Sequence, residues 1–420
     1  MSDQKEPLTA PLITLDDVLN TARKDLYMRS RIEELEQMVD AHQGNQRANE
    51  NRHNKALAIV TLASRAPKKP TIFFSQLVED YKRERLAGED WTPKTQKENM
   101  AAYKLCMDII GDLQIHDIGK DRALTYIETL KKLPPNMNKM PAYRGKSISD
   151  IIALNPTPIS VRTFNKNVER VSSLFKWAAE QPEYDLRYNP FARRSLDDSK
   201  AKKRQPFTTD ELILLFGAEE FAQRKYVSAF SYWLPLMGLF TGARINELCQ
   251  LHLSDFVVFG GIHCINIQDE QPGQKLKNNN ARRLVPIHDK LMEVGLIRYV
   301  EQLRAQGGER LFPTLKLTKN GYGDAPSKWF GRLKDKYGME KQIKVFHSFR
   351  HTFISTMLDD DVEESSIAPI VGHEGKLITG KVYWNAKDAA KRKPTVDRFL
   401  LPAEVLNLIP TLEQVKLGKD

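Results

Sequence analysis

Three short runs with β-strand character interrupt a chain whose apolar residues otherwise recur at helical spacing. They fall at residues 256–258, 262–267 and 284–287, split by Gly260-Gly261 and by a polar turn. Upstream, Phe74, Leu77, Val78 and Tyr81 mark one apolar helix face, and Phe164, Val168, Val171, Phe175 and Ala178 mark another. Helical patterning returns from Ser327 onward, and no internal repeat is visible. The pattern predicts a mainly α fold with one small antiparallel β-sheet.

Punctuation residues divide the chain. Residues 1–69 read as an N-terminal helical extension of unknown role. Thr14-Leu15-Asp16-Asp17 has the form of a capping box, and Ile32, Leu35, Met38 and Val39 sit at helical spacing. A long, partly exposed helix and a loosely packed extension both fit them. Ala66-Pro67-Lys68-Lys69-Pro70 reads as a linker, followed by a helical domain over residues 70–183. Within it, Trp91-Thr92-Pro93 starts a helix, while residues 134–158 read as an irregular insertion. Lys166, Arg170 and Lys176 lie off the apolar face of the last helix, where they suit either phosphate contacts or a solvated basic face. The stretch 184–206, with Arg193, Arg194, Lys200, Lys202, Lys203 and Arg204, reads as a basic linker. Thr208-Thr209-Asp210-Glu211 is a capping box that opens a second domain over 207–398, and a partly helical tail occupies 399–420.

The chain has 420 residues, 41% of them hydrophobic, which suits a globular protein of two or three domains. Its 64 Lys and Arg outnumber 54 Asp and Glu, a net charge of +10 that favours a polyanionic partner. Cys106, Cys249 and Cys264 sit singly among apolar residues, without a CxxC pair or zinc spacing, and are expected to be buried thiols. The first residues lack the basic and apolar regions of a secretory leader, and no apolar run approaches membrane length. A soluble, cytoplasmic, reducing setting without a membrane is the expectation.

The second domain carries five short motifs in order. They are Gly242-Ala243-Arg244-Ile245-Asn246-Glu247-Leu248; Lys277 ahead of Arg282-Arg283-Leu284-Val285-Pro286; His347-Ser348-Phe349-Arg350-His351; Val371-Gly372-His373; and Tyr383. A guanidinium fork binds two non-bridging phosphate oxygens at once, which suits Arg244 and Arg350. Glu247, three residues after Arg244, shares its side of a helix and is placed to hold it. His347 and Arg350 share a helix face, and a histidine titrating near neutrality suits a general base. His347 and His351 have the spacing of a metal pair, but neither an HExxH glutamate nor a third ligand accompanies them. Tyr383 offers a phenol that needs neighbouring cations and a base to act as a nucleophile at pH 7. Cationic donors with a phenol suit attack on a phosphodiester without a metal.

In this order and spacing the motifs resemble the tyrosine recombinase (phage integrase) family, with residues 207 to about 390 similar to its catalytic domain and 70–180 to its core-binding domain. The resemblance implies a two-domain DNA clamp that cuts and rejoins DNA as a site-specific recombinase. Tyr383 would form a 3′-phosphotyrosine and release a 5′-hydroxyl. Arg244, Arg350 and His373 would stabilise the transition state, and His347 would act as base. Lys277, eight residues before Val285, would protonate the leaving oxygen; Lys275 lies two residues away. The step from His373 to Tyr383 is one residue longer than the family's commonest spacing. The resemblance further implies double-stranded DNA recombination sites as partner, a homotetramer on DNA, accessory DNA-bending or directionality proteins, integration or excision of a mobile element, and a bacterial or phage-encoded, nucleoid-associated enzyme. It calls for no cofactor. The tail would dock on a neighbouring protomer or pack on its own domain. A type IB topoisomerase shares the catalytic set and is the alternative, followed by a catalytically idle DNA-binding regulator.

Overall fold

Each capping signal and apolar stripe of the first domain nucleates the helix expected from it. The computed structural model describes residues 33, 34, 36, 72–199, 203–276, 281–340, 343–373 and 386–418. The chain divides into two compact units, Met1–Ser199 and Lys200–Asp420. The Thr14 capping box lies outside the described residues, and of the expected N-terminal helix only Glu33, Glu34 and Glu36 are described, all helical.

The first unit is all helical among its longer elements: α1 (Phe74–Ala87), α2 (Pro93–Ile110), α3 (Lys120–Leu130), α4 (Ile148–Ala153) and α5 (Val161–Glu180). Helix α2 starts with Pro93 at its first turn, and the Thr92 hydroxyl accepts the Thr95 N–H at 3.2 Å. The apolar stripes of α1 and α5 meet in a core containing Phe74, Tyr126, Phe175 and Phe191, with the Phe175 and Phe191 rings 5.0 Å apart. The insertion expected at 134–158 is mostly turns, but a Ser147–Asp150 capping box starts α4 within it. Phe191 is fully buried in this core. The Asn165 amide both donates to Leu196 O and accepts from Leu196 N–H, each at 2.8 Å. The stretch read as linker from residue 184 is therefore packed onto the first unit as far as Leu196. The apolar payload of Phe191 outweighs the charge around it.

The second unit is built around α7 (Ala229–Thr241), which is buried on nearly every side. Helix α6 (Thr209–Phe216) precedes it, opened by the expected capping box, in which Glu211 N–H donates to the Thr208 hydroxyl at 3.2 Å and Glu211 Oε2 accepts Thr208 N–H at 2.8 Å. After α8 (Ile245–Cys249) come the strands β2 (Phe256–Phe259), β3 (Ile262–Ile267) and β4 (Arg283–Pro286) of an antiparallel sheet in that order; β1 is the short strand Lys225–Tyr226. In the register, Ile265 pairs with Val285 and Ile267 with Arg283, so these four share the face turned to the core. Cys264 and Leu284 take the other face, under α11 (Ala386–Asp397). Helices α9 (His347–Asp359) and α10 (Glu364–Val371) complete the frame. The fold is mainly α with a small antiparallel sheet.

Residues 399–418 pack on their own unit. Phe399, Val405 and Ile409 enter the core, and the Tyr232 hydroxyl donates to Pro410 O at 2.6 Å. β5 (Lys416–Leu417) then pairs parallel with β1. No helix among the described residues is long and apolar enough to cross a membrane.

Candidate active site

Helix α7 ends at Gly242, whose φ of +61° is left-handed, the conformation that reverses a chain at a helix end. A Cβ there would lie 2.8 Å from Val371 and 3.0 Å from Phe353, so glycine is required by space as well. The turn delivers Arg244 to the N-cap of α8, one residue ahead of the helix the sequence placed it on. Glu247 sits in the first turn of α8. Its Oε1 accepts Arg244 Nη1 at 2.7 Å and its Oε2 accepts Arg244 N–H at 3.0 Å. Sequence reasoning gave Glu247 this holding role.

A second cation shares the carboxylate. Arg283 Nη2 donates to Glu247 Oε2 at 2.7 Å, and both side chains are almost wholly buried. Burial alone would raise the Glu247 carboxyl. The Arg283 charge and hydrogen bond, followed by those of Arg244, outweigh it and hold the group at about 2. No role for Arg283 was read from the sequence. The signal was available, because Arg283 and Val285 alternate onto the same face of β4, and a charge on a core face needs a partner.

Helix α10 supplies the common anchor. Its last carbonyls have no intrahelical donors and carry the negative end of the helix dipole. Arg283 Nε donates to Ile370 O at 2.7 Å, Arg350 Nη1 to Val371 O, and Arg244 Nη2 reaches Gly372 O at 3.5 Å. Three guanidiniums from three distant segments thus meet three successive carbonyls at one helix end. Arg350 Nη1 also donates to Gly242 O at 2.9 Å, tying α9 to the turn that carries Arg244. Arg350 Nη2 is buried and has no hydrogen-bond partner among the described residues. Desolvation first, then the charges of Arg244 and Arg283, push Arg350 down to about 9, which leaves it charged at neutral pH.

The histidines border this cluster. His347 opens α9, half-buried, its ring 5.0 Å from and perpendicular to that of His351. Burial, the neighbouring His351 and the charges of Arg350, Arg204 and Arg244 lower His347 to about 4, so it is neutral at pH 7. His351 and His373 are lowered too, by burial first and then by nearby arginines. His373 follows Gly372, whose left-handed φ of +69° ends α10. Among the described residues no three His, Cys, Asp or Glu side chains are arranged to hold a metal ion.

The structure therefore brings together Arg244, Arg350, His347 and His373, and adds Glu247 and Arg283. Lys277 and Tyr383 lie outside the described residues. The chain leading to Lys277 is anchored beside α8: Lys275 N–H donates to Gln250 Oε1 at 3.0 Å, and Gln274 Nε2 to Asp255 Oδ2 at 2.7 Å. Lys166, Arg170 and Lys176 belong to the first unit; Arg170 pairs with Glu98 at 2.5 Å and Lys176 with Glu180 at 3.9 Å. Chemically, the cluster has the charge and donors to hold an anion, with a neutral imidazole at its edge.

The chain is similar to known integrases and recombinases. The model of the phage integrase family matches residues 220–390. The tyrosine recombinase XerA of Pyrococcus horikoshii is 23% identical over 55% of this chain and 71% of its own length. A tyrosine recombinase of Pseudothermotoga lettingae is 26% identical over 68% of this chain and 85% of its own. Among solved structures, a lambda integrase dimer bound to a COC′ core site has a TM-score of 0.51 at 15% identity, covering 88% of this chain and 87% of that one. At that identity the last likeness speaks for the fold.

Proposed function

We propose that this chain, whose residues 220–390 match the phage integrase family and which is similar to tyrosine recombinases, is a site-specific DNA recombinase whose nucleophile is Tyr383. The observation that carries the reading is the charge balance of the site. Arg244, Arg283 and Arg350 converge on one helix end with Glu247 the carboxylate among them, and among the described residues Arg350 keeps a buried donor unpaired. An unpaired buried donor costs roughly 1–3 kcal/mol, a cost that an arriving phosphate oxygen removes.

Tyr383 attacks the scissile phosphorus and the P–O5′ bond breaks. The product is a 3′-phosphotyrosine, and the 5′-oxygen leaves as a hydroxyl. His347 accepts the phenolic proton. It is neutral in the free protein, and the charge of a bound phosphate raises its basicity toward the working range. Lys277 gives a proton to the leaving oxygen. Arg244, Arg350 and His373 bind the non-bridging oxygens, whose charge grows in the transition state. A second 5′-hydroxyl then attacks the phosphotyrosine, so the bond energy is conserved and no cofactor is consumed.

Exchange between two duplexes requires four such cuts, hence a tetramer of this chain on paired sites. Integration or excision of a mobile element is the reaction this serves, in the cytoplasm of a bacterium, with accessory DNA-bending or directionality proteins setting its direction. A purified protein that recombines both orientations without host extract would dispense with those accessories. The positive net charge makes DNA binding steeply salt-dependent.

The decisive experiment is covalent capture. The protein is mixed with sheared DNA flanking its own gene, denatured in SDS, and whatever stays attached is sequenced, with Tyr383→Phe in parallel. The expected result is a discrete set of adducts in the wild type and none in the variant, which still binds DNA. Adducts spread without sequence preference would point to a topoisomerase. Binding without any adduct would point to an idle regulator.

A further inference from the structure

Arg283 is 1% exposed, on the core face of β4 opposite Ile267. All three of its nitrogens are engaged: Nη2 with Glu247 Oε2 at 2.7 Å, Nε with Ile370 O at 2.7 Å and Nη1 with Ala281 O at 2.8 Å. It has no surface left with which to meet DNA. One of its partners carries Arg244 on its other oxygen, and another lies two residues before the Gly372–His373 turn. The turn is moulded to the guanidinium, since a Cβ on Gly372 would come within 2.9 Å of Arg283 Nη1.

We propose that Arg283 is a positioning residue of the phosphate site: one planar guanidinium fixes the separation between the Glu247–Arg244 arm and the Gly372–His373 turn, and acts on the reaction through them. The idea rests on the recombinase reading. Its chemistry is the rigid fork, which donates in three set directions. A lysine in its place keeps the charge but is a point donor on a flexible stem and cannot hold all three partners.

The test uses the full chain and the site sequence recovered by covalent capture, with a nick that traps the cleaved product. Single-turnover adduct formation is measured at saturating DNA for wild type and Arg283→Lys, on a normal phosphate and on a neutral methylphosphonate at the scissile position. Affinity and thermal midpoint are followed in parallel. Arg283→Lys is expected to fold and to bind with near wild-type affinity. Its adduct rate should fall by about tenfold or more, as sub-ångström misplacement of catalytic groups does. The deficit should shrink on the methylphosphonate, where Arg244 has less charge to neutralise. An undiminished rate overturns the assignment, and so does a deficit of equal size on both substrates, which marks a merely structural role. If the lysine variant does not fold, the double variant Glu247→Gln/Arg283→Met removes both buried charges together. Slow cleavage by a folded double variant supports the assignment, and a wild-type rate overturns it. A wild type that forms no Tyr383-dependent adduct overturns the recombinase reading itself, whatever the variants do.

Discussion

At the scale of single residues, the site is a concentration of positive charge held in place by backbone. Arg350 is anchored by Gly242 O and Val371 O, so its orientation is set before any ligand arrives. In Arg350→Lys a point ammonium cannot keep both carbonyls and still present a further donor. Adduct formation should fall roughly 10²–10³-fold, the usual loss of a preorganised transition-state donor, with DNA affinity changed far less. An equal loss in affinity would place Arg350 in ground-state binding instead. The histidines give a pH signature. His347, His351 and His373 all have folded-state pKa values below the ordinary 6.5. Between the folded and unfolded values the unfolded chain binds more protons, so stability is full above pH 6.5 and is lost as the pH falls through 6.5 toward about 4. The thermal midpoint of the DNA-free protein should follow that course, and His347→Asn should flatten it. A midpoint flat from pH 7 to 4.5 would contradict the environment found for these rings. Arg244, His347, Arg350 and His373 could be picked out in the sequence because each stands in a recognisable motif. For Arg283 the strand alternation marks a charge on a core face but not its partners, which are Glu247, 36 residues earlier, and Ile370, 87 residues later.

At the scale of elements, the site depends on how closely α7 and α9 approach. Gly238 makes the approach possible: a Cβ there would lie 2.9 Å from the Phe346 ring, one residue before His347. Gly238→Ala should wedge the helices apart and cost about 1–3 kcal/mol, the range for overpacking a tight core, read as a lower urea midpoint. Adduct formation should slow as well, because Arg350 moves with α9 while Arg244 follows α7. An unchanged midpoint would mean that the pair absorbs the methyl group freely. Amphipathic elements were easy to read. Helices α1, α2 and α5, the β-runs and the α6 cap all stand close to their expected places. Helix α7 shows no polar face to mark its rotation, since it is buried almost all round. Helix α4 is only six residues long, too short for a periodic signal inside a stretch of turns.

At the scale of the molecule, each unit has its own core, and the second depends on its C-terminal segment. Phe399 and Val405 are fully buried and Ile409 nearly so. Ending the chain before Phe399 should cost several kcal/mol, as removal of large core side chains does, and lower the thermal midpoint of the second unit. A truncated protein of wild-type midpoint would show that the tail is an accessory to this core. Loss of assembly on DNA by such a truncation reports docking between protomers only if the midpoint is measured alongside. The charge run at 184–206 suggested a linker because composition is averaged over a window. One buried aromatic, Phe191, and one amide, Asn165, were enough to keep part of that window on the first unit.

The sequence by itself determined the helix-rich class, the small sheet, the caps, and the order of motifs on which the family resemblance rests. Those properties arise from residues within a few positions of one another, where periodicity and capping act. Only the tertiary structure decided that Arg244, Arg283 and Arg350 meet at the end of one helix, that Glu247 serves two of them, and that the tail returns to its own core. Such contacts join residues up to 178 positions apart, from Tyr232 to Pro410. They exist because orphan carbonyls and a buried carboxylate must find donors in a packed interior, and a linear reading does not say which donors those will be.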